Sequence, residues 1–415
     1  MNSAVVAAVP FLSLFVVAGA GAEWFISAGL RQNPAASQRF CRLYLCDDIA
    51  VANRSLDLRI NPDPASLSLS VGLLKDLVWR DESSAMRWVD LGDALGQAGL
   101  TDQARFCARR AEELGHFSTS ALISAGDFYL RTGDPRHGLH CLSQALALTS
   151  ERDEVIFSIF PARHASIRDV LAYGLPPEAR PAQSYFRYLV EGPGESGVRP
   201  PVEDLKVVWE WLVDRHLAGP AIASEYANLL VSQKLFHEAR DAWVSQLADR
   251  PSGYFTRQFL YNGDFEQELS SGAFDWKIIP LDHVEVLRDS QAYSGKSSLR
   301  IRFDGSGNIA YQNVMQRTVL RPGRYRFQAY IRSQDVTTDQ GVFFRVQDSE
   351  DLRRLSAETG QVRGTTPWHA IATTFVASPA TQLVEVVVMR RPDWKFDNKI
   401  NGAVWIDQVS LTRLE

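Results

Sequence analysis

The chain has 415 residues, 45% of them hydrophobic and 22% charged, with a formal net charge of −5. It is too long for one typical core and too apolar for disorder, so two or three globular domains are expected. From Asn262 to Glu415 there are 19 Lys/Arg and 19 Asp/Glu, a balance that leaves no electrostatic footprint for a nucleic-acid backbone.

The first predicted element is an export or anchoring segment within residues 1–30. Ala4 to Ala22 is 19 residues without a charge, and its end, Ala18-Gly19-Ala20-Gly21-Ala22, suits a signal-peptidase site before Glu23. A cleaved signal or a single transmembrane anchor both fit. Arg31, Arg39 and Arg42 follow the stretch, the reverse of the charge bias for an anchor with an exported chain. The expected location is nevertheless extracytoplasmic, periplasmic for a bacterial protein. Cys41 and Cys46 allow a disulfide or two thiols, whereas Cys107 and Cys141 read as small buried residues.

A repeat follows. Trp88, Leu91, Gly92, Leu95, Gly99, Ala104, Ala108 and Ala111 recur 34 residues later as Leu122, Ala125, Gly126, Tyr129, Gly133, Gly138, Leu142 and Ala145. Small residues at these positions let paired antiparallel helices approach closely. A third, weaker copy is Tyr226, Ala227, Leu230, Ala239, Trp243 and Pro251. Pro176-Pro177, Pro181, Gly192-Pro193-Gly194 and Pro200-Pro201 interrupt the array. Trp209, Trp211 and Trp243 read as helix-packing residues. An irregular α-solenoid over 31–255 is expected, docking a protein partner or serving as a spacer.

The last segment, 256–415, alternates with period two. Leu299, Ile301 and Phe303, and Tyr325, Phe327, Ala329 and Ile331, are separated by polar residues as in half-buried strands. Further strands are expected at Val284 to Leu287, Ile309 to Val314, Gly341 to Gln347, Trp368 to Val376 and Leu383 to Arg390, giving an antiparallel double-sheet sandwich. A boundary is expected between Arg250 and Asn262, where Pro251-Ser252-Gly253 ends the last helix.

The opening Asn262-Gly263-Asp264-Phe265-Glu266, the turn Ser294-Gly295-Lys296-Ser297-Ser298, Leu320-Arg321-Pro322-Gly323, Trp368 and the closing Val404-Trp405-Ile406-Asp407-Gln408-Val409 occur in order. This segment resembles the jelly-roll carbohydrate-binding modules related to families four, nine and twenty-two, a galactose-binding-like fold. The helical segment resembles the tetratricopeptide repeat. The first resemblance implies sugar binding without catalysis and a structural calcium ion held by Glu266 and Asp407, with main-chain oxygens from the 294–296 turn. Gln408 stands where such modules commonly carry a second aspartate, and a hydrogen-bonded strand corner is the alternative.

Sugar recognition needs flat aromatic faces for the apolar side of a pyranose and planar side chains for its hydroxyls. Side chains facing away from the core suggest a cleft of Tyr330, Arg345, Gln347 and Arg390, rimmed by Trp276, Tyr311 and Trp394. Trp368 is expected in the core. No phosphate loop, HExxH pair or Gly-x-Ser-x-Gly elbow is present, so an enzyme is not expected. Glu385 reads as outward-facing or salt-bridged. The combination resembles accessory proteins of bacterial cell-surface or exopolysaccharide assembly, binding a polysaccharide and docking to a protein partner, with membrane contact through the N-terminal segment if uncleaved. The alternatives are a scaffold whose sandwich binds no sugar, and a glycan-processing enzyme.

Overall fold

The computed structural model describes residues 55–60, 63–192, 199–247, 254–270, 272–396 and 398–414. The expected signal or anchor and the Cys41/Cys46 pair lie outside these residues. Among the described residues, no helix is long and apolar enough to cross a membrane. The chain forms two compact units, divided between Leu217 and Ala218.

The first unit is helical: α1 (Pro64–Arg80), α2 (Ala85–Gln97), α3 (Thr101–Leu114), α4 (Thr119–Arg131), α5 (Pro135–Leu148), α6 (Asp153–Ala162), α7 (Ile167–Asp169, continuing as a π turn Val170–Gly174), α8 (Ala179–Glu191) and α9 (Val202–Asp214). Asp63 starts α1, its carboxylate accepting from the backbone N–H of Ala65 and Ser66 and so satisfying donors with no partner inside the helix. The periodic small residues lie where helices touch. A Cβ added to Gly126 would stand 2.9 Å from the Gly138 carbonyl oxygen, and one added to Gly138 only 2.7 Å from that of Gly126. Backbone therefore meets backbone between α4 and α5. Cys107 and Cys141 are buried free thiols.

Among the described residues the second unit holds α10 (Pro220–Ser232), α11 (Phe236–Ser245) and ten strands. These are β1 (Lys277–Ile278), β2 (Val284–Asp289), β3 (Ser298–Asp304), β4 (Tyr311–Val319), β5 (Gly323–Val336), β6 (Phe343–Asp348), β7 (Ser356–Glu358), β8 (Gly364–Ala377), β9 (Leu383–Arg390) and β10 (Asn401–Arg413). They form two antiparallel sheets, one in the order β1-β4-β9-β6-β7 and the other β2-β3-β10-β5-β8. Alternate residues of the central strands enter one core: Phe327, Ala329 and Ile331 of β5, Phe344 and Val346 of β6, Val384, Val386 and Val388 of β9, and Val404 and Ile406 of β10, with Val409 resuming past the irregularity after Asp407. The period-two reading of facing holds on these strands.

The pair α10/α11, grouped by sequence with the repeats, lies in the same compact unit as the sandwich. Trp243 meets Tyr261 edge-on at 5.7 Å, and a Cβ on Gly272 would stand 2.3 Å from the Trp243 ring. Lys234 pairs with Glu350 at 2.6 Å. A fragment 218–415 should therefore unfold at higher denaturant than one spanning 256–415, which lacks the fully buried Trp243. The expected difference is about 3 to 5 kcal/mol, as for deletion of a buried tryptophan. Equal stability of the two fragments would show that the helical pair contributes nothing to the sandwich.

Candidate functional site

The expected cleft does not assemble, because its members lie on different sheets and in the core. Tyr330 is on β5, opposite Asp407 of β10 and Ala370 of β8. Arg345 and Gln347 are on β6 in the other sheet. Both outward assignments are right, but they point away from opposite sides of the sandwich. Strand order, which side-chain periodicity does not encode, decides this.

Three further members are buried. Arg390 is 1% exposed. Its guanidinium donates to Asn308 Oδ1 at 3.0 Å, Thr338 Oγ1 at 3.2 Å and the carbonyls of Ile309, Gln340 and Asn398. It ties three loops together at the end of β9, and burial lowers its affinity for the proton. Trp276 is also 1% exposed, packing on Phe265 at 5.4 Å and donating from Nε1 to the Asn262 carbonyl at 3.1 Å. Tyr311 is buried edge-on to Phe303 at 5.6 Å. These are core and loop-organising residues, not a rim. Trp394 alone of the expected rim is open, at 95% exposure beside Phe396.

The outer face of the β1-β4-β9-β6-β7 sheet carries a closed polar network. Arg345 donates to Glu358 at 2.8 and 2.9 Å, and Arg391 pairs with the same carboxylate while lying over the Phe343 ring at 4.7 Å. Gln347 donates to Glu385 Oε2 at 3.1 Å, and Arg317 pairs with Oε1 at 3.3 Å. Glu385 is thus salt-bridged. Each planar group that would meet a sugar hydroxyl is matched by a neighbour, and the aromatic ring is covered.

The outer face of the other sheet is different. The turn between β2 and β3 folds over it, and the Tyr293 ring stacks on Tyr330 with centroids 3.8 Å apart and planes 14° from parallel. Tyr293 remains 45% exposed. Trp368, expected in the core, instead lies half-buried on this face at 6.0 Å from Tyr293. Beside them Arg332 lies over Trp405 at 5.1 Å and donates to Gln291 at 2.8 Å. The Trp405 indole donates to Asp289 at 3.2 Å, which also pairs with Arg300 at 3.0 Å. The result is an open aromatic platform edged by guanidinium and amide groups.

The turn that carries Tyr293 is held by the two acids singled out in the sequence. Asp407, fully buried, accepts from the backbone N–H groups of Tyr293 at 2.8 Å and Ser294 at 3.0 Å through Oδ2, and from Gln408 through Oδ1. Glu266 accepts from the N–H groups of Lys296 at 2.6 Å and Ser297 at 2.9 Å. Gly295 between them has φ +76°, and a Cβ there would stand 2.3 Å from Glu266 Oε1, so only glycine suits this turn. Burial pushes the Asp407 carboxyl up, opposed by its N–H donors and reinforced by Asp264, whereas the N–H donors hold Glu266 low. The turn's role was hidden because Tyr293 precedes a strand without belonging to one.

No family model matches the chain, and no curated protein matches it. Several solved structures are similar to part of it. A family 61 carbohydrate-binding module in complex with β-1,4-galactotriose matches at 18% identity and TM-score 0.29, over 38% of this chain and 99% of that one. The CBM22-1 xylan-binding domain of Paenibacillus barcinonensis Xyn10C matches at 16% identity and TM-score 0.26, over 37% and 92%. MamA matches at 10% identity and TM-score 0.22, over 44% and 86%.

The two arginines of the expected cleft should behave differently. Arg390→Ala leaves buried carbonyls unpaired and should lower unfolding free energy by about 3 kcal/mol or more. Arg345→Ala, in a partly exposed pair on the sheet's outer face, should cost only about 1 kcal/mol. Denaturant titration of both variants checks this, and similar losses would contradict the burial assigned to Arg390.

Proposed function

We propose that the sandwich is a non-catalytic glycan-binding module whose platform is Tyr293, Tyr330 and Trp368. The observation that supports this most is the exposed, near-parallel Tyr293–Tyr330 stack, a flat face for the C–H side of a pyranose. Arg332 and Gln291 bond to each other at its edge, and the guanidinium and amide N–H groups that this bond leaves over are planar donors for ring hydroxyls. The closed network around Arg345 and Gln347 argues against the opposite face. Within the same proposal, the helical unit is a tetratricopeptide-like surface that docks a protein partner. The protein then works outside the cytoplasm, anchored or exported, in cell-surface or exopolysaccharide assembly. This wider role rests on domain architecture alone.

Full-length protein should be retarded in affinity gels containing polysaccharide, and Tyr293→Ala should weaken the retained interaction by roughly two- to tenfold, the range of one aromatic contact. Trp394→Ala should leave it unchanged. Binding lost with Trp394 but kept without Tyr293 would move the site to the 391–399 loop. No binding to any polysaccharide would favour the scaffold reading.

We further propose a structural calcium ion at the turn. Glu266 and Asp407 each hold part of the turn through its backbone N–H groups, and Asp264 adds negative charge near Asp407; the carboxylate lone pairs that these bonds leave over are hard oxygen donors of the kind calcium takes. Glu266 and Asp407 would hold the ion, which would add positive charge beside a turn that two carboxylates clamp. An ion that binds only the folded protein raises its stability. Chelator should therefore lower the melting temperature of the wild type and leave Asp407→Ala, already less stable, unaffected. Wild-type melting indifferent to chelator and to added calcium would leave the corner to its hydrogen bonds alone.

A further inference from the structure

The helical unit contains a mixed donor cluster that the glycan reading does not use. Glu112 of α3 and His137 and Cys141 of α5 bring one ligand atom each within 4.8 Å of one another. His137 and Cys141 are four residues apart and share one face of α5, and α4 contributes Tyr129 from the side. Glu112 Oε2 is 2.9 Å from His137 Nε2 and accepts from the Tyr129 hydroxyl at 3.4 Å. The Tyr129 and His137 rings meet edge-on at 4.2 Å, which fixes the imidazole plane. Cys141 is fully buried at the base, while His137 is 42% and Glu112 22% exposed at the mouth. The cluster is a pocket with a soft donor at the bottom and an opening to solvent.

We propose that Glu112, His137 and Cys141 form a binding site for a borderline divalent cation, zinc in the first instance. Thiolate, imidazole and carboxylate together are a zinc donor set. Bound at ~2.0 to 2.3 Å, tetrahedral ligands stand roughly 3.5 Å apart, so the observed spacing needs only small side-chain rotations. The cation takes the place of the thiol proton, which leaves to solvent as the metal–sulfur bond forms. Three protein ligands leave a fourth position, which faces the open side beside Tyr129 and would hold water. Glu112 hydrogen-bonds His137, the Tyr129 hydroxyl and the Cys141 thiol, so an imidazole and a thiol, both metal-binding groups, converge with it on one point, the arrangement that a cation would bridge.

The test uses the full-length protein, zinc in competition with a chromophoric chelator, and cobalt as a spectroscopic probe. One equivalent of zinc should bind with micromolar or tighter affinity, and cobalt should give a thiolate-to-metal charge-transfer band. Cys141→Ser should abolish that band, and Glu112→Gln, a surface-accessible change that spares the fold, should weaken zinc binding by roughly tenfold or more, since even loss of a residue that only supports a ligand costs 10- to 100-fold. Replacing both Cys41 and Cys46 by Ser should leave the band intact. A wild type that binds no zinc overturns the proposal, and so does binding that survives in Glu112→Gln and Cys141→Ser or disappears with Cys41 and Cys46. Helical circular dichroism identifies any variant that unfolds, in which case Glu112→Gln decides.

Discussion

The sandwich's exposed chemistry depends on one buried carboxylate. Asp407 sits on the closing strand β10, faces outward from its sheet, and is nevertheless fully buried because the turn between β2 and β3 folds over it. A carboxylate removed from water must be matched by donors, and here the donors are backbone N–H groups of Tyr293 and Ser294. Satisfying the acid and placing the Tyr293 ring are therefore the same event. Once the turn is fixed, the ring falls on Tyr330, which is the cross-strand partner of Asp407 on β5. Glu266 holds the other half of the turn, so the opening and closing segments of the sandwich meet through a loop neither belongs to.

The two outer faces show how similar residue types give opposite surfaces. Arg345, Gln347 and Glu385 each have a partner on a neighbouring strand, and a ligand would compete with those bonds. Around Tyr330, the charges of Arg332 and Arg300 are spent at the margin, on Trp405, Gln291 and Asp289. The centre is left aromatic and open. The difference lies in where the charges stand, not in how many there are.

Much of the fold was legible in the sequence, for a physical reason. Alternation over Leu299, Ile301 and Phe303, and over Tyr325 to Ile331, records which side of each strand meets the core, and the structure agrees. The 34-residue spacing recorded Gly126 and Gly138 because backbone contact between α4 and α5 tolerates no Cβ. The site was less legible. Tyr330 and Arg345 both face outward, yet which sheet a strand joins depends on pairings made across long stretches of chain. Arg390 looks like a surface cation until five loop oxygens gather around it. Trp276 and Tyr311 sit beside turns in sequence and inside the core in space. Tyr293 gave no signal, since a ring placed by a turn has no periodicity, and Trp368, expected on its strand, was assigned to the core face instead of the outer one. Glu266 and Asp407, by contrast, stood out at the two ends of the domain, and they do meet on one turn.

The claim that the Asp407 clamp acts through the position of Tyr293 is tested most directly by a double-mutant cycle on polysaccharide affinity, using Asp407→Asn, Tyr293→Ala and the double variant in the full-length protein. If the clamp works by placing the ring, the double variant binds as weakly as the weaker single variant and no weaker, because the second change removes nothing that remains. If the two losses add, the carboxylate and the ring contribute independently, and the account of the site as one clamped platform is wrong.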